Sequence, residues 1–120
     1  MGEVIQTSWE QIPQDEAFPG IFRQVLHGET TTVTRYTYSP GSSFPAHSHL
    51  EEQITIVHTG SIEFEVEGNT VTLSAGDVAI IPARARHGAR VPDTNAESVI
   101  TDNFVPSGAG RTLSFGEPTR

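Results

Sequence analysis

Gly41–Ser42–Ser43–Phe44–Pro45–Ala46–His47–Ser48–His49–Leu50–Glu51–Glu52–Gln53, closed later by Gly60, is the stretch on which the reading of this 120-residue chain turns. His47 and His49 are two positions apart, so on an extended strand both imidazoles leave the same face. Gln53 returns to that face if the strand continues with at most a bulge. A fourth donor arrives in Gly76–Asp77–Val78–Ala79–Ile80–Ile81–Pro82–Ala83–Arg84–Ala85–Arg86–His87, where Pro82 is expected to end a short apolar strand just before His87. Two same-face imidazoles make half of a metal site. The rest of the chain reads as scaffold that brings His87 across to His47, His49 and Gln53.

Working outward, the flanking segments read as strands. Residues 21–27, 30–39, 44–49 and 54–59 are short runs suited to a pleated surface, punctuated by Pro19–Gly20, Gly28–Glu29, Pro40–Gly41 and Gly60. Ile62–Glu63–Phe64–Glu65–Val66–Glu67 alternates strictly, which predicts one buried face and one acidic, wet face. Gly68–Asn69 turns it back into residues 71–73 as a hairpin. Residues 78–81 form a continuous apolar run, expected to be buried on both sides. Residues 97–105 alternate again as a last strand. No stretch of useful length has a helical period, so the fold class is all-β, a sandwich or barrel. The domain reading is an arm packing on the body over residues 1–20, a barrel over 21–106 and a flexible tail over 107–120, with Leu113 and Phe115 as its anchors.

Composition narrows the function classes. A chain of this length supports one domain with a modest core. Its formal charge of −8 argues against non-specific binding to nucleic acid or an anionic membrane. With no cysteine there are no disulfides and no thiolate ligands. The first residues lack a basic segment followed by an apolar run, so no signal peptide is read there and a cytoplasmic location is expected.

Imidazole nitrogen and amide oxygen suit nickel, zinc, iron, manganese or cobalt rather than calcium. Four such donors leave one or two positions open for water or substrate, which marks a working metal. With no carboxylate among them, a divalent ion keeps its full charge, favouring polarisation of a bound carbonyl or hydroxyl. Arg84, Arg86 and Arg90 bracket His87 and are expected either to hold a substrate carboxylate or to pair with surface carboxylates such as Glu51 or Glu97. Arg35 is a further candidate for the cavity. Glu51 and Glu52 are alternatives to Gln53 as ligand, with Gln53 preferred because Glu52 has the wrong parity. His58 falls on the face opposite Gln53, and His27 reads as structural.

Gly41, His47, His49, Gln53 and Gly60, with Gly76, Pro82 and His87, resemble the two motifs of the cupin superfamily. Gln53 stands where Glu is usual in the first motif, and Arg84 where Gly is usual in the second. The resemblance implies a single-domain cupin, a double-stranded β-helix or jelly-roll barrel, and a homodimer. Within cupins, His47–Ser48–His49, Glu52–Gln53–Ile54–Thr55, Ile81–Pro82 and His87–Gly88 are similar to the small pectin-degradation cupins, which open the ring of 4,5-unsaturated uronates and also use Gln as a ligand. Leu50–Glu51 replaces a Pro-His pair common in that family. Its Asp-x-Phe over the metal is matched by Asp102–Asn103–Phe104, which implies Asp102 as general acid or base and Phe104 at the substrate. The Arg which that family uses soon afterwards has Arg111 as its one nearby counterpart.

The function expected is therefore that of a metal-dependent enzyme. One divalent transition metal (Ni, Zn, Mn or Fe) would act as Lewis acid on a small anionic substrate, a carboxylated sugar or keto-acid. Catalysis would rest on Asp102, with Arg84, Arg86, Phe104 and Arg35 at the substrate. The alternatives are an iron-dependent dioxygenase, and a non-catalytic ligand-binding or polyketide-cyclase-type cupin.

Overall fold

The structure is a computed structural model that describes residues 2–105. A 3-10 turn at Trp9–Gln11 precedes ten strands: β1 (Asp15–Phe18), β2 (Ile21–His27), β3 (Thr32–Tyr38), β4 (Ser43–His47), β5 (Gln53–Thr59), β6 (Ser61–Val66), β7 (Asn69–Ser74), β8 (Val78–Ile81), β9 (His87–Arg90) and β10 (Ser98–Phe104). They form a six-stranded sheet in the order β1-β2-β3-β10-β5-β8 and a four-stranded sheet in the order β4-β9-β6-β7. All pairings are antiparallel. The all-β jelly roll expected from the sequence is the architecture observed. No helix among the described residues is long and apolar enough to cross a membrane.

Period-two alternation builds the core. On β3, Thr32, Thr34, Tyr36 and Tyr38 point inward while Val33, Arg35 and Thr37 point out. On β6, Ile62 and Phe64 face in and Glu63 and Glu65 face out, as the alternation predicts. Ile21, Tyr36, Val57, Ile81 and Ile100 of the large sheet meet Phe44, Ile62, Phe64 and Leu73 of the small one in a single cluster.

Several boundaries differ from the sequence reading. The N-terminal arm contributes β1, which pairs with β2. Its Trp9 and Ile12 carbonyls accept from Gln24 Nε2 at 2.6 and 3.0 Å, which pins the arm to the outer face of the large sheet. β8 is an edge strand, so Val78 and Ile80 are 60% and 64% exposed rather than buried. An apolar run does not reveal whether a second layer covers its outer side. β9 was not read as a strand, because His87–Gly88–Ala89–Arg90 has no apolar alternation to signal one. The 107–120 tail, with Leu113, Phe115 and Arg111, lies outside the described residues.

Candidate metal centre

His47 and His87 are direct cross-strand partners on β4 and β9. Phe44 and His47 are both buried although three positions apart, which a regular strand forbids. A bulge between them resolves the conflict: Phe44 pairs with Ala89 and His47 with His87, so β4 spends one extra residue and turns His47 inward. Gly88 permits it, since a Cβ there would lie 2.9 Å from the Phe44 carbonyl oxygen and 3.1 Å from the Ala46 nitrogen.

His49 follows the end of β4, and Gln53 opens β5 in the other sheet. The two donors therefore meet across the sandwich, not along one continued strand. The expected convergence holds by a different route. The ring centroids stand 4.4 Å apart for His47 and His87, 5.0 Å for His49 and His87, and 5.5 Å for His47 and His49. One nitrogen from each histidine lies within 4.8 Å of the others, and all three residues are buried.

Hydrogen bonding assigns the tautomers. The Nδ1 atoms of His47, His49 and His87 reach the carbonyl oxygens of Pro45, Glu51 and Ala85 at 3.1, 2.9 and 2.8 Å. A carbonyl only accepts, so each Nδ1 carries the proton and each Nε2 keeps its lone pair. His87 Nε2 has no hydrogen-bond partner among the described residues although it is buried. Burial also holds the His87 imidazole below its ordinary pKa, in the neutral form that ligates.

Gln53 Nε2 donates to Thr55 Oγ1 at 2.9 Å, which leaves Gln53 Oε1 facing His49 Nε2 at 3.1 Å. Two lone-pair atoms at that separation do not bond each other. Two ligands of one ion, each about 2.1 Å from it and at right angles, stand about 3 Å apart. The donor set therefore fits a divalent transition metal held by His47, His49, His87 and Gln53.

Thr55 Oγ1 in turn donates to Asp102 Oδ1 at 2.7 Å. The register sets this contact, because Asp102 on β10 lies opposite Thr55 on β5. Burial pushes the Asp102 carboxyl up to about 7, against hydrogen bonds from Thr55 and Gln53 that lower it. Burial likewise raises the Tyr36 and Tyr38 hydroxyls above their ordinary range, so both stay protonated. These residues, with Phe44, Phe64 and Phe104, wall an interior cavity of about 20 Å³, room for roughly one water or ion. A hollow of about 650 Å³ lies against the outer face of the large sheet, between Leu26, Val33, Ile54 and Asn103 and the arm residues Ile5 and Thr7, and Phe104 borders both spaces.

The cupin domain family model matches residues 34–101, more than half of the chain. The chain belongs to the cupin family. Among curated proteins none matches. Of solved structures, this cupin is similar to KdgF from Halomonas sp., with 27% identity over 87% of this chain and 97% of that one and a TM-score of 0.73. An RmlC-like cupin from Shewanella frigidimarina NCIMB 400 shares 25% identity over 86% and 91% of the two chains, with a TM-score of 0.75. The polyketide cyclase RemF from Streptomyces resistomycificus, at 18% identity over 97% and 90% with a TM-score of 0.75, shares the fold.

The arginines of this cupin do not gather at the metal centre. Arg35 points to the outer face, where it donates to Gln24 Oε1 at 3.0 Å and lies 5.6 Å from the centre of the Trp9 ring. Arg84 and Arg86 are exposed and do not line the interior cavity. Arg90 pairs with Glu63 at 3.0 Å. Phe104 packs edge-on against His49 at 5.4 Å between centroids. Exposed His58 meets Thr101 Oγ1 at 2.9 Å, and His27 meets Thr32 Oγ1 at 3.0 Å. Sequence reading missed Thr55, whose role depends on a partner 47 residues away. It also placed Glu51 among surface carboxylates, whereas Glu51 is 1% exposed.

Proposed function

We propose that this cupin is a metal-dependent enzyme that moves a proton on a small carboxylated sugar or keto-acid, in ring-opening, isomerase or lyase chemistry, with a 4,5-unsaturated uronate as the first substrate to try. The observation that carries the reading is the line His49–Gln53–Thr55–Asp102, which joins the donor cluster to a buried carboxyl through separations of 3.1, 2.9 and 2.7 Å. His47, His49, His87 and Gln53 would hold a divalent transition ion, which supplies Lewis-acid polarisation of a substrate oxygen when bound.

Asp102 would take up and return the proton. In the metal-free chain burial pushes this carboxyl up to about 7, and a carboxyl raised toward neutrality suits general acid–base work. Gln53 and Thr55 orient it, and the buried Tyr36 and Phe44 side chains keep water away. Phe104, packed on His49, would contact the substrate. Arg84, whose backbone N–H donates to the His49 carbonyl at 2.8 Å, would meet its carboxylate at the rim. The motif resemblance to pectin-degradation cupins and the 27% identity to KdgF support this choice of chemistry. An iron-dependent dioxygenase could use the same donors; the Asp102 line supports proton transfer as the first reading.

Asp102→Asn is expected to lower turnover of the unsaturated uronate by about 10²- to 10⁴-fold with metal content unchanged. Metal loss in that variant would make Asp102 a structural support of the centre. Oxygen consumption with iron bound would favour the dioxygenase.

A further inference from the structure

Glu51 is 1% exposed, a degree of burial that a carboxylate seldom reaches without a charge to answer it. It sits in the connection between β4 and β5 that spaces His49 from Gln53. Two of its groups address one imidazole nitrogen. The Glu51 carbonyl accepts from His49 Nδ1 at 2.9 Å, and the side-chain Oε1 stands 3.7 Å from the same atom. The second distance exceeds a hydrogen bond, so the side chain faces the Nδ1–H side of the ring at longer range. His47 and His87 are met at Nδ1 by the carbonyls of Pro45 and Ala85, residues without charge. Among the described residues the hydrogen bonds to the three Nδ1 atoms are alike, and a buried carboxylate stands behind the His49 one.

That carboxylate bears on what the centre can hold. His47, His49, His87 and Gln53 are all neutral donors, so a divalent ion would bring its whole charge into a dry interior. A carboxylate behind an imidazole offsets part of that charge, fixes the ring, and makes the ligating nitrogen more basic. We propose that Glu51 is a positioning residue that acts through His49 and supplies the negative charge the donor set lacks, raising the affinity for a divalent cation. This rests on the reading of His47, His49, Gln53 and His87 as a metal centre.

The test is zinc affinity, measured on the full metal-free chain by competition with a chromophoric chelator, beside thermal unfolding without metal. Glu51→Gln keeps the shape and removes the charge. It is expected to weaken zinc binding by about 10- to 100-fold, while the metal-free variant melts no lower than the wild type. Glu51→Asp, which keeps the charge, should retain the larger part of the affinity. Wild-type zinc affinity in Glu51→Gln would overturn the proposal. So would a metal-free Glu51→Gln chain that fails to fold or melts lower, since Glu51 would then be serving the fold. A wild-type chain that binds no zinc would instead bring down the metal centre itself.

Discussion

Between pH 3.8 and about 7 the folded metal-free chain keeps a proton on Asp102 that the unfolded chain releases. Raising the pH through that window therefore favours unfolding, and the loss levels off above about 7. The rise from 3.8 to about 7 is worth on the order of 4 kcal/mol at full effect. The difference in unfolding free energy between metal-free wild type and Asp102→Asn, followed by urea titration from pH 4.5 to 8, should move steadily against the wild type as pH rises. A difference that does not change with pH would contradict the buried-carboxyl account. At this scale the four candidate donors were legible and the groups around them were not. His47, His49, Gln53 and His87 stand at motif spacing in the sequence. Thr55 and Glu51 carry no such mark: Thr55 matters because register sets it beside Asp102, and Glu51 because the chain folds inward after His49.

The turn from β8 to β9 holds an unfavourable backbone that the sequence already hinted at. Arg84 has φ +66°, in the left-handed region, where the second cupin motif usually has Gly. Its N–H donates to the His49 carbonyl at 2.8 Å, so this turn fastens the strand carrying His87 to the loop carrying His49. Arg84→Gly is expected to be more stable than Arg84→Ala by about 1 kcal/mol, because only Gly relieves the left-handed strain. Equal stability in chemical denaturation would mean that the turn does not keep this backbone. Elements with alternation were readable, as β3 and β6 show. β8 was misjudged because an uninterrupted apolar run looks the same at a sheet edge as at its centre, and Val78 and Ile80 prove to be exposed. The β4 bulge, which turns His47 inward, depends on Gly88 in a strand that passed unrecognised.

Across the whole molecule, two antiparallel sheets bring donors from distant parts of the chain to one buried point. β4 and β9 of the small sheet supply His47 and His87, β5 of the large sheet supplies Gln53, and the segment between β4 and β5 supplies His49. The fold class and the family were legible because strand punctuation and the two motifs agreed. The path by which Gln53 reaches His49 was not, because it depends on a change of sheet that local pattern does not encode. The most direct test is elemental analysis of protein purified without chelator or nickel affinity resin, beside a His47→Ala, His49→Ala double variant that remains folded. The result expected is close to one equivalent of a divalent transition metal in the wild type and almost none in the variant. Equal metal in both, or none in the wild type even after metal is supplied, would contradict the metal centre.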